Sequence, residues 1–226
     1  MKTNIIMKTN IIFALIVLGA ATQAGTQNIN WRAFEPGQKH LVHLQAGFDY
    51  GMTLGLGYGY KLHTRMPAVV NLEYSFPAGE RLFDDFKVRL GGQVQLVEWN
   101  GLTVTAKVYS PFRRYESNMV RLINFGGEFS GVVGYYRKHW YVAGEFGFDK
   151  AIVTHIQHSD QMLENYPDAQ DGWYVPTGGN YFYGLQAGVS FGKNDISLKA
   201  GGLATQGWKT APYVPKYAVL AFNRRF

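Results

Sequence analysis

Cysteine is absent from all 226 residues, so no disulfide braces the fold and backbone pairing with side-chain packing must hold it. Beyond Ala24 no continuous apolar run approaches the ~20 residues that a membrane-crossing helix needs, which argues against a helical membrane protein. Helical Ala/Glu/Leu periodicity is missing too. No charge block or low-complexity linker divides the chain, so a single domain is expected. The net charge of +6 is modest and its signs are mixed along the chain, a poor match for nucleic acid and a better one for an anionic lipid surface.

The N-terminus carries Lys2 and Lys8 without an acid, then the apolar block Ile11 to Ala21 and the small or uncharged residues Thr22-Gln23-Ala24. A block this short between such flanks reads as an export signal over residues 1–24. Its removal takes Lys2 and Lys8 away, from +6 to +4. No cysteine follows to take a lipid, so the exported chain is either soluble or a barrel. Residues 25–38 are then an N-terminal periplasmic segment and residues 39–226 the barrel.

What is abundant is glycine, 27 residues, and aromatic side chains, 15%, a composition that favours strands. In YFYGLQAGVSFG (residues 181–192) Tyr181, Tyr183, Leu185, Ala187, Val189 and Phe191 alternate with small or polar residues. Successive side chains of a strand point to opposite faces, so such alternation means two environments. The pattern recurs from Val42 to Tyr50, Met52 to Leu62, Ala68 to Phe76, Phe86 to Leu96 and Leu102 to Val108. It continues around Ile123 to Tyr135, Trp140 to Phe148 and Ile196 to Ala200, and the chain closes on PKYAVLAFNRRF. About ten strands of ~9–11 residues follow, with eight as the alternative count, the length and even number of a closed antiparallel transmembrane barrel. One face is nearly free of charge while the other bears ionisable groups in almost every strand. That is apolar outward and polar inward, and closure follows because hydrocarbon does not tolerate an open sheet edge.

Short turns at Trp99-Asn100-Gly101, Arg137-Lys138-His139 and Gly192 to Asp195 alternate with longer links at Phe76–Asp85, Ser110–Val120, His155–Gly179 and Thr205–Pro215. Trp99, Tyr135 and Trp140 beside the short turns fit an interfacial aromatic girdle. Phe226, preceded by Phe222, Leu220 and Ala218 at alternate positions, resembles the terminal strand of bacterial outer-membrane β-barrels, with Arg224 a departure from their pattern. GYGY and the close NRRF look like small uncharacterised barrels of Bacteroidetes-type bacteria. The resemblance implies an outer-membrane location, contact with lipid and lipopolysaccharide, and recognition of Phe226 and Phe222 by the barrel-assembly machinery. An outer-membrane protein partner stays open.

The assigned inner faces place Asp49, Glu73, Glu128, Glu145 and Asp149 with Lys61, Lys87, Arg89, Lys107 and Lys199. These form either a narrow ion path or an internal salt-bridge network; at ~10 strands the filled interior is favoured. Inward glycines either leave extra room or ease curvature. Arg113 and Arg114 between aromatics, with Arg121, stand at the expected outer rim, where they could grip lipopolysaccharide phosphates. His155, His158 and Asp160, with Ser159, Asp168, Asp171 and, in another link, Asp84 and Asp85, are the candidate rim chemistry. Two readings follow: His155 and His158 with a carboxylate as a metal pair, or His158 with Asp160 as a general-base pair and Asp84-Asp85 as a second carboxylate pair. The arrangement looks like that of the omptin proteases, or of a lipid A deacylase using His158 and Ser159. The reading adopted is a barrel without enzymatic chemistry, metal or cofactor, serving envelope structure, small-solute passage or a larger complex.

Overall fold

The computed structural model describes residues 28–48, 51–78, 85–176, 178–207 and 215–226. The strands are β1 (His40–Phe48), β2 (Met52–Leu62), β3 (Ala68–Pro77), β4 (Phe86–Trp99), β5 (Leu102–Glu116), β6 (Val120–Tyr136), β7 (Trp140–His158), β8 (Gly172–Tyr174), β9 (Gly179–Phe191), β10 (Asn194–Thr205) and β11 (Lys216–Arg225). Each pairs antiparallel with the next from β1 to β7, then β7 with β9, β9 with β10, β10 with β11 and β11 back to β1. The expected ten-stranded antiparallel barrel is therefore closed, and β8 is an addition outside the ring.

Turn chemistry fixes the register of the hairpins. Asn100 and Gly101 both have positive φ, 50° and 95°, the two-residue turn whose twist matches that of its flanking strands. The turn ends of the chain gather β2–β3, β4–β5, β6–β7 and β9–β10 with the start of β1 and the end of β11. The opposite end carries the longer loops.

Two expectations change. Ser110–Val120 is not a long link: β5 runs on to Glu116 and β6 starts at Val120, so residues 117–119 alone turn the chain. Likewise β7 continues to His158, well past its last pairing with β9 at Lys150. Strand length is set here by hairpin pairing rather than by a bilayer's thickness, and β5, β6 and β7 rise beyond their neighbours as a wall. β8 pairs with β7 over Thr154 to Ile156, and the six-residue helix α1 (Asp160–Asn165) sits between them. Ile152 is the extra residue of a bulge against Phe125 and Gly126, and it reverses which residues of β7 face inward.

Period two holds around the wall. Leu44, Leu56, Leu72, Leu90, Phe129, Phe146, Leu185, Leu198 and Leu220 are exposed on the outside, while His43, Asn71, Arg89, Glu128, Glu145, Lys199 and Asn223 are buried inside. Three inward glycines are seats for rings. Tyr109 lies over Gly91, Tyr141 over Gly188 and Phe182 over Gly147, each directly across in register. A Cβ at any of these glycines would strike the ring. At these three positions the space is occupied by aromatics from the paired strand rather than left as extra room.

Candidate functional site

The barrel interior holds the densest chemistry in the molecule. At mid-height the Arg89 guanidinium stands between Glu73 (3.4 Å) and Glu128 (3.6 Å). Across from it Glu145 receives Lys199 at 2.6 Å and Lys107 at 3.4 Å, and the Ser130 hydroxyl donates to it at 2.8 Å. Nearer the loop end Arg113 donates to Asp149 at 2.5 Å, and nearer the turn end Arg225 pairs with Asp195 and donates to the Gly192 carbonyl at 2.9 Å. Charges this deep persist only when paired, and removing one partner from such a pair costs about 3–5 kcal/mol.

A second element fills the turn-end mouth. The N-terminal segment enters the barrel: Asn30, with no exposed surface, donates to the Ser190 hydroxyl at 2.8 Å and to the Arg137 carbonyl at 3.0 Å. Its own oxygen accepts from Arg32 N–H and caps the short 3-10 turn Trp31–Ala33. Trp31 donates its indole N–H to Thr105 at 3.0 Å. The ring packs in a cluster with Ile29, Leu41, Val69, Val132, Tyr136 and Tyr141. Lys107 reaches the Asn28 side chain at 3.4 Å, while Asn223 donates to the Asn28 carbonyl at 2.9 Å and accepts from the His43 ring at 2.7 Å. Lys61 lies over the Phe34 ring at 4.5 Å. A polar latch and an apolar wedge thus close the same mouth.

Of the residues placed inside by sequence, Glu73, Lys87, Arg89, Lys107, Glu128, Glu145, Asp149 and Lys199 are buried there. Lys61 sits at the mouth, half-buried. Asp49 lies outside the described residues. Arg113 is a correction: it faces the interior rather than the lipid side, because the lengthened β5 carries the inward alternation up to it. Arg114 and Arg121 are on the outside, and both are held by Glu116, Arg121 at 2.7 Å.

The rim candidates do not converge. His155 and His158 are three apart on one strand and so face opposite sides: His155 packs its ring on Trp173 at 4.9 Å, whereas His158 bonds Asp171 at 2.7 Å. Asp171 also accepts the His158 backbone N–H at 2.8 Å, and these two bonds hold its carboxyl below the ordinary carboxylate range. Ser159 caps α1 by accepting from Met162 N–H, which leaves Asp160 exposed in the first turn. Asp85 accepts the Glu116 N–H at 2.8 Å, and Asp84 lies outside the described residues. Among the described residues no group of three or more His, Asp or Glu is arranged to hold a metal ion.

Sequence reading missed Arg225, Asp195, His43 and the N-terminal segment. Extending the alternation of β11 to its last residues would have turned Asn223 and Arg225 inward.

No known protein family matches the chain, and no curated protein matches it. Among solved structures it is similar to a mutant of Rh. blastica porin, at 10% identity and a TM-score of 0.17, over 84% of this chain and 99% of that one. A likeness at that level carries no functional argument.

Proposed function

We propose that the chain is an integral barrel of a bacterial outer membrane, exported by its leader, whose interior is sealed and whose role is to anchor and present the wall formed by β5 to β8. The apolar outer face and the closed ring favour lipid around it. Phe226 and Phe222 serve as the assembly signal, and lipid, lipopolysaccharide and the barrel-assembly machinery are its expected contacts. The reading is non-enzymatic, since the rim histidines are engaged separately and Ser159 is a helix cap.

The observation that carries it is the double closure of the bore, by Trp31 and Asn30 at the mouth and by the Arg89 and Glu145 ion pairs at mid-height. Single-channel recording in a planar bilayer tests it. Protein whose gel mobility is heat-modifiable, and so is a closed barrel, and which co-floats with vesicles of the bilayer lipid, and so is membrane-associated, should give no discrete current steps. Regular steps from the unaltered chain would contradict a sealed bore and favour small-solute passage.

A further inference from the structure

Arginines at the two ends of the barrel are treated differently. At the loop end each described arginine has a carboxylate: Arg114 and Arg121 share Glu116, and Arg113 has Asp149, whereas the exposed Lys216 there is without one among the described residues. At the turn end Lys39, Arg65, Arg137, Lys138, Lys193 and Arg224 are exposed, and among the described residues none of them has a carboxylate within ion-pair distance. The side-chain carboxylates described at this end are few: Glu98 is taken by Arg32 at 2.6 Å, Asp195 by the inward Arg225, and Glu35 accepts from Gln38 at 3.3 Å.

Two of these cations are placed rather than merely exposed. Arg137 follows Tyr135 on the outer side of β6, lies over its ring at 4.8 Å and donates to its hydroxyl. Its backbone is pinned by Trp140, whose carbonyl accepts at 2.8 Å, and by Asn30 of the inserted segment. Arg224 stands on the outward alternation of β11 between Phe222 and Phe226, with its guanidinium 5.5 Å from the Phe226 ring. Aromatic side chains of this kind mark the level where hydrocarbon meets headgroups, so both guanidinium groups stand at headgroup height with their donors unmet by protein acids. Planar guanidinium donors fit phosphate oxygens in pairs.

We propose that the turn-end rim is a binding surface for anionic phospholipid headgroups, with Arg137 and Arg224 as its outward grips and Lys138 and Lys193 beside them. The occupant is lipid rather than an acidic protein because both grips face sideways at the aromatic level, where the bilayer lies, not along the barrel axis. This rests on the membrane-spanning reading above. It also explains why Arg224 departs from the terminal pattern of barrel strands: an aromatic there would face lipid but offer nothing to a phosphate. The assignment moves phosphate recognition from Arg113, Arg114 and Arg121 to the opposite end.

Native mass spectrometry of the full chain in detergent, titrated with phosphatidylglycerol or with phosphatidylcholine of the same acyl chains, tests it. Phosphatidylglycerol adducts should outlast phosphatidylcholine adducts, and should fall roughly fivefold for each arginine lost in R137Q/R224Q, the attraction expected of one basic side chain at an anionic surface. R137K/R224K should keep most of the binding, and R114Q/R121Q all of it. Equal retention of both lipids, or an undiminished R137Q/R224Q, would overturn the proposal. Flotation of the unaltered chain with pure phosphatidylcholine vesicles is scored separately. Failure there would remove the membrane reading itself, whereas success there with equal lipid retention would remove this proposal alone.

Discussion

The two ends of the barrel are built on opposite terms. The turn end is stitched: the N-terminal segment is wedged into it by Trp31 and latched by Asn28 and Asn30, and Arg225 closes on Asp195 beside it. The loop end is extended: β5, β6 and β7 climb past their neighbours, and Val120, Leu122 and Ile156 form a small cluster against Tyr115. Of its exposed acids, Asp160 and Glu164 are on α1, and Asp168 and Asp171 lie in the link between α1 and β8. One end gains order from long-range contacts and the other from hairpin pairing, so damage at the first should spread through the barrel and damage at the second should stay local.

Trp31→Ala should break that contrast most severely. It removes the wedge and leaves Thr105 without its donor, a loss of about 3–5 kcal/mol by the cost of large-to-small core changes. Its signature is a lower urea midpoint for the whole barrel and new protease cleavage within residues 28–38. Gly147→Ala tests the wall between the ends. Its Cβ would meet the Phe182 ring and the Phe129 carbonyl, and overpacking of this kind costs about 1–3 kcal/mol, again read as a shifted midpoint for the whole ring. Ile156→Val sharpens the comparison at the loop end. About 0.5–1.5 kcal/mol should be lost, seen as faster amide exchange in residues 120–122 and 156–158 with the global midpoint unmoved.

The smallest effect concerns Asp171. Its carboxyl is held below the ordinary value of 3.8 by the bonds from His158. The tether is therefore intact above that value and is lost as pH falls through the lower, folded-state value. Amide protection of residues 172–174 should persist at pH 4 and vanish in stronger acid. Asp171→Asn should weaken that protection at every pH while leaving barrel unfolding unchanged.

Much of this was legible beforehand because period two is a direct consequence of strand geometry: Glu73, Arg89, Glu128 and Glu145 could be assigned inward from alternation alone. The rest depended on facts that alternation does not carry. A ~9–11 residue limit, correct for crossing a bilayer, cut β5 short and placed Arg113 on a loop. A three-residue turn around Trp31 has no period to detect, and its partners lie far along the chain, Thr105 and Ser190 among them. Asp195 looked like a turn residue until β10 was seen to start at Asn194. The partner of His158 proved to be Asp171, brought back by β8, rather than nearby Asp160.

The absence of cysteine makes the sealed interior directly measurable, since a single introduced thiol has no background. In vesicle-reconstituted protein, Q93C, whose native glutamine is 4% exposed on the inner wall, should resist a charged, membrane-impermeant thiol reagent until the barrel is unfolded. T64C, on the exposed β2–β3 turn, should react fully wherever that turn is reached. Modification of Q93C at a rate comparable to T64C would mean that water and ions pass through the bore, and would contradict a barrel closed by its own N-terminal segment and buried ion pairs.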